Sequence, residues 1–258
     1  MAGSENEKAN DIKSHIQIPK FILKSFSHKT ENGNCVYYLD LKDKKIKEEK
    51  INTLGTEFGF YDEQVESELS EKYEQPFAKI AKIARGFSER KLTTIVLNDY
   101  EKTIKDFFTV CMFRSKDSFE MFKNISLTAQ LFPKGIENLY MKVSLSKIDS
   151  FQFFDDFKVN ILINSTKMSF VTIRQCYYPI NIDDSTCYAL PINSKAALLL
   201  QPEETFQKHM TNNELYYARV STDEDVTNIN YRAFLWEKQF NNDFVVAKEK
   251  AELTKLLG

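Results

Sequence analysis

The sequence predicts an α+β fold, with a mostly helical first half (about 60–150) packed against a β-rich second half (about 151–258). Three observations predict it. Apolar residues recur at helical spacing through the first half, as in Ile104, Phe107, Phe108, Cys111 and Met112. Past residue 150 the spacing changes to the two-residue period of strands, in Phe157–Ile163 and Met168–Ile173. An extended segment, Cys35–Leu41, also stands near the N-terminus, so early strands can pair with late ones and join the same sheet. Such pairing would make residues 13–258 one domain behind a flexible polar tail at 1–12.

Taken in order, Ile16 and Ile18 alternate with His15 and Gln17 as in a strand. Pro19 suits the first position of a helix, because it has no N–H to leave unpaired. Phe21, Ile22, Ser25 and Phe26 then share one face, and Lys20, Lys24 and His28 another. The strand-to-helix turn holds His15 and Gln17 near the helix N-terminus, a place where an anion can bind. Glu31–Asn34 is a turn ahead of the Cys35–Leu41 strand, and the charge run Lys42–Lys50 is a solvated loop or strand edge.

Asp62 is an N-cap for a helix carrying Val65 and Leu69. Pro76 argues for a break, which gives two helices over about 62–73 and 76–85. Asn98 or Asp99 starts a further helix ending near Arg114, and Asp117 or Ser118 starts another. Residues 126–150 hold one or two more. Thr186–Pro191 and Ala196–Leu200 form a β-hairpin, and helices are expected over 203–210, 223–239 and 248–257, with a short strand at Phe244–Ala247.

Hydrophobic residues make up 42% of the chain, enough for a sizeable core. Only 7 glycines occur, with none between Gly135 and Gly258, so neither G-x-G-x-x-G nor a P-loop can be built. The net charge of −2 gives no global basic field, and nucleic-acid binding would need a local patch. Cys35, Cys111, Cys176 and Cys187 lack metal or redox spacing and read as reduced, buried thiols. With no apolar leader and no window approaching a membrane span, the expectation is a cytoplasmic protein without membrane contact.

The candidate catalytic set is His15 with Glu66 and Glu74, because general acid–base work needs groups whose pKa can be brought near neutrality. The same groups could hold a divalent metal through oxygen and imidazole ligands. The competing reading makes both glutamates solvent-facing helix charges. Gln17 stands beside His15, and Arg85, Arg90 and Arg114 are candidate phosphate ligands, since guanidinium pairs with phosphate through two hydrogen bonds. Their alternative is a helix C-terminal role near the last carbonyls. No serine lies in a G-x-S-x-G turn, and the scattered cysteines give no nucleophile.

His15, Pro19, Leu23 and Phe26 fit the pattern His-x(2–3)-Pro-x-x-x-Leu-x-x-Phe. Together with the blocks Asn52–Ile80, Phe170–Thr172 and Tyr188–Leu200, they resemble a bacterial family of proteins of unknown function, domain-of-unknown-function family forty-two thirty-eight. The resemblance runs from about residue 12 to the end. It implies that Thr172 and Arg174 occupy positions where relatives carry polar site residues. Relatives often read Thr-Ser-Asp-Asn-Pro there, whereas Thr172 is followed by Ile173, Arg174, Gln175 and Cys176, without the Asp-Asn pair. Two functions follow as expectations. One is a hydrolase or nuclease acting on nucleic acid or nucleotide, as a toxin or in phage defence. The other is a non-catalytic binding or scaffold protein in which the N-terminal motif is structural.

Overall fold

The computed structural model describes residues 13–15, 18–58, 61–89, 97–126, 136–182, 184–211, 218–240 and 243–257. Strand β1 (Lys13–His15) leads to Pro19, which is the N-cap of α1 (Lys20–Phe26) instead of its first residue. The Ile22 and Leu23 N–H groups donate back to the Pro19 carbonyl at 2.9 and 3.3 Å. With only seven residues and those two donors used, α1 offers no anion site of the kind expected. Its buried face is Ile22, Leu23 and Phe26; the Ser25 hydroxyl donates to the Ile22 carbonyl at 2.7 Å.

Strands β2 (His28–Thr30), β3 (Gly33–Asp40) and β4 (Lys45–Lys50) form an antiparallel meander with β3 in the middle. The turn into β3 needs Gly33, whose φ is 109°. The charge run is therefore an edge strand, kept apart from other edges by its lysines. Strand β5 (Thr56–Phe58) pairs with β1, with His15 opposite Thr56.

Residues 63–88 form one continuous rod instead of two helices. It runs α2 (Glu63–Glu68), a π turn (Leu69–Glu74) and α3 (Gln75–Ser88). Asp62 caps it, accepting from the Val65 N–H at 2.9 Å. Pro76 has no N–H for the carbonyl one turn back, and its ring would crowd that carbonyl. The wider π turn ends at this point, with the Gln75 N–H reaching Ser70, so the helix absorbs the proline without breaking. Helices α4 (Glu101–Phe113), α5 (Lys116–Ile125) and α6 (Ile136–Leu145) follow. The cap of α5 is Ser115, whose hydroxyl accepts from the Ser118 N–H at 3.2 Å.

The second half contains β6 (Phe157–Asn164), β7 (Thr172–Ile173), β8 (Tyr178–Ile182), β9 (Ser185–Asn193), β10 (Ala196–Pro202), α7 (Glu203–Thr211), β11 (Ala218–Val220), α8 (Asp223–Phe240), β12 (Phe244–Ala247) and α9 (Lys250–Lys255). One sheet has the order β11-β6-β10-β9-β8, antiparallel except where β11 runs parallel to β6. The other has the order β2-β3-β12-β7, with β4 also on β3. The early strands thus join late ones, β12 and β7, in a sheet separate from the one formed by β11, β6, β10, β9 and β8. The expected 168–173 strand shrinks to β7 because side chains take its earlier N–H groups. Ser169 N–H donates to Glu252 and Val171 N–H to Asn230, each at 3.1 Å.

Strand β10 lies between two cores. Leu198 and Leu200 meet Phe77, Phe107 and Phe108 on one side, and Ala197 and Leu199 meet Phe170, Tyr178 and Val226 on the other. With both faces covered, its sequence is a continuous apolar run. A third core joins Tyr61, Val65 and Leu69 to Val110 of α4 and to Met141 and Leu145 of α6. The helical first half therefore packs against itself as well as against the sheet.

Candidate functional site

Arg114 caps the C-terminus of α4, yet its side chain turns inward and is only 3% exposed. Its Nη2 donates to Glu74 Oε1 at 2.7 Å, at the end of the π turn. Burial, the largest single influence, works to lower the guanidinium pKa; Glu74, Tyr61 and Cys111 beside it together outweigh that, and the net direction is up. Among the described residues, Nε and Nη1 of Arg114 have no hydrogen-bond partner. An unmet buried donor costs about 1–3 kcal/mol, so each of the two calls for an acceptor, a water or another group.

Tyr61 stands beside this pair, 4% exposed. Burial raises its pKa against the smaller downward pull of Arg114, and the charge of Glu66 adds to the rise. The phenol is thus a hydrogen-bond donor at neutral pH. The π turn is what brings the two glutamates to this side. In an unbroken α-helix, eight residues leave Glu74 about 80° round from Glu66. The extra residue that a π turn takes in removes roughly that offset.

Arg174 also sends its charge to Tyr61. Its Nη1 donates to Asp243 Oδ2 at 2.8 Å, and its backbone N–H donates to Glu237 of α8 at 3.2 Å. Asp243 lines a cleft of about 250 Å³ with Tyr38, Asp40, Leu54, Gly55, Thr56 and Phe244. Thr56 faces His15 across the β1–β5 ribbon, so the His15 backbone lies next to this cleft. Arg174 therefore links the Thr56 cleft to the Tyr61–Arg114–Glu74 cluster.

Of the expected site residues, Glu74 and Arg114 form one ion pair beside Tyr61, whose phenol also feels the charges of Glu66 and, least, Arg174. Glu74 is not a solvent-facing charge, since it neutralises Arg114. His15 is placed by its backbone in β1; Gln17 and Arg90 lie outside the described residues. Arg85 sits apart on α3, half-buried, where burial lowers its pKa and only Glu89 opposes the shift. Thr172 is fully buried in β7, in register with Val246, so it is a core residue. Among the described residues no three His, Cys, Asp or Glu groups could together hold a metal ion.

Sequence reasoning missed Tyr61 and Asp243. Tyr61 carried a signal, its place directly before the Asp62 cap; Asp243 carried none, because it meets Arg174 only through the fold. Cys176, at φ 70°, is buried, and its thiol donates to the Arg174 carbonyl at 3.9 Å. Burial pushes its thiol well up, which makes it unreactive. His28 is half-buried instead of a free surface group: it stacks on Tyr37 at 4.5 Å and bonds Glu48 at 2.6 Å.

Among the described residues no helix is long and apolar enough to cross a membrane. No curated protein and no solved structure matches the chain. A family model described as "Protein of unknown function (DUF4238)" matches residues 15–242, a span containing every residue of the Tyr61–Arg114 cluster. The chain belongs to the DUF4238 family.

Proposed function

We propose that the chain is a cytoplasmic hydrolase of phosphate esters, acting on nucleic acid or nucleotide, with its substrate's phosphate received by Arg114. The observation that carries this reading is the buried guanidinium with one nitrogen on Glu74 and two nitrogens lacking any acceptor. A phosphate oxygen suits those donors, because charge-assisted hydrogen bonds to guanidinium are about twice as strong as neutral ones. Tyr61, kept protonated by burial, adds a further donor. Glu66, whose charge acts on Tyr61, and His15, in strand β1, are the proposed acid–base groups. Glu74 is assigned a positioning role, holding Arg114 in place. Any divalent ion would have to draw on His15 and substrate oxygens, since Glu74 is already committed to Arg114. Such an enzyme would serve the bacterium as a toxin or in phage defence.

A specific observation favours the second reading, a non-catalytic binding protein. Arg174 is engaged by Asp243 and Thr172 is sealed in the core, where an active member would keep polar groups open. The two readings share the anion site and differ in chemistry. Induced expression in bacteria of the natural chain, His15→Ala and Arg114→Met, with growth and total RNA and DNA integrity followed, separates them. The hydrolase reading expects growth arrest or nucleic-acid loss with the natural chain alone. Equal behaviour of all three, each soluble and folded, refutes it.

A further inference from the structure

A second cleft, of about 360 Å³, opens on the other face of the β3 sheet. Leu39 and Leu41 point into it, whereas their neighbours Tyr38 and Asp40 line the cleft by Thr56, as strand alternation requires. Its floor is apolar and buried: Leu39, Leu41 and Leu256. Its walls are Tyr231 and Phe234 of α8, stacked with centroids 5.8 Å apart, and Leu257. Tyr231 and Leu257 are 48% and 46% exposed, so large apolar groups face solvent here.

Three lysines complete the lining: Lys44 from the β3–β4 turn, Lys238 from α8 and Lys255 from α9. Among the described residues none of them forms an ion pair with a carboxylate, and no Asp or Glu lines the cleft. The contrast within one turn is informative, because Lys42 and Lys47 are matched there to Asp243 and Asp40. Lys238 sits 5.9 Å over the Phe234 ring, and Lys255 Nζ lies 3.3 Å from Met168 Sδ. In a chain of net charge −2, an apolar cleft ringed by three unmatched cations is complementary to one chemistry, an apolar body with an acidic head.

We propose that this cleft binds a small, free anionic amphiphile, of the class of a medium-chain fatty carboxylate. Its volume falls within the roughly 300–1,000 Å³ of small-molecule sites. A partner helix would instead need an extended groove with anchors at successive turns. The alkyl chain lies on the leucines and the Tyr231–Phe234 pair, and the carboxylate meets the lysines.

The test is calorimetric titration of the full chain with decanoate below its micelle concentration, beside decyltrimethylammonium, which keeps the tail and reverses the charge. The natural chain should bind decanoate saturably at one site and the cation at least tenfold more weakly. Lys238→Glu/Lys255→Glu, both exposed changes, should weaken decanoate at least tenfold with an unaltered unfolding midpoint. Lys44→Gln should give a smaller loss, and it decides the matter if the double variant does not fold. Absence of binding by the natural chain, equal binding of the two amphiphiles, or binding indifferent to the lysines overturns the proposal.

Discussion

Strand β10 and the seam around Arg114 are both buried, and they are stabilised on opposite terms. In β10, Leu198, Leu199 and Leu200 exclude water on both faces, and backbone pairing to β6 and β9 satisfies every polar group along the strand's centre. Each leucine contributes about 1.5–3 kcal/mol with no specific partner needed. In the seam, Arg114 is buried beside a single carboxylate, with two donors left over. A buried ion pair of that kind is weak as a source of stability, since apolar side chains of similar volume often do as well or better. The first region contributes stability by burial alone; the second depends on a specific partner.

Breaking the seam from one side should give the largest effect. Glu74→Ala leaves Arg114 charged, buried and without its carboxylate, and should cost about 3–5 kcal/mol in denaturant unfolding. Leu198→Ala in β10 should cost about 2–5 kcal/mol through lost burial and the cavity left behind. Arg114→Met sharpens the contrast, because it removes the charge along with its unmet donors. Together with Glu74→Gln it should leave stability unchanged or raise it by about 1–4 kcal/mol, a change that stability screening would not penalise.

Asp62 offers a smaller effect with a pH signature. Burial works to raise its pKa, but hydrogen bonds from Lys142, the Val65 N–H and Asn138 outweigh it, and the net shift is downward. Its contribution is therefore complete above the ordinary aspartate range and is lost as pH falls through the lowered value. Asp62→Ala should cost about 0.5–2 kcal/mol near neutrality. The difference between natural chain and variant should close in acid, as unfolding midpoints measured against pH would reveal.

The sequence made the periodic elements readable because each rests on local spacing. Helix α4 with Ile104, Phe107 and Phe108, strand β6, and helix α8 all follow their apolar periods. The misreadings have physical causes. Pro76 signals a break only in an α-helix, and the π turn ahead of it changes the geometry that makes proline disruptive. Residues 168–171 alternate like a strand, but Glu252 and Asn230 replace a partner strand. For the site, Glu66, Glu74 and Arg114 were recognisable by residue type and Arg174 only through the family resemblance, whereas the common side of Glu66 and Glu74 depends on the phase set by the π turn. The Arg174–Asp243 bond spans 69 residues, beyond the reach of local spacing.

The central claim is that the unmet donors of Arg114 exist for an anion. Equilibrium titration with inorganic phosphate and with a nucleoside monophosphate, for the natural chain and for Arg114→Met, tests it most directly. The account predicts saturable binding of at least the nucleotide by the natural chain and its loss in the variant, with the variant still folded. Failure of the natural chain to bind either probe, or equal binding by the variant, would contradict it.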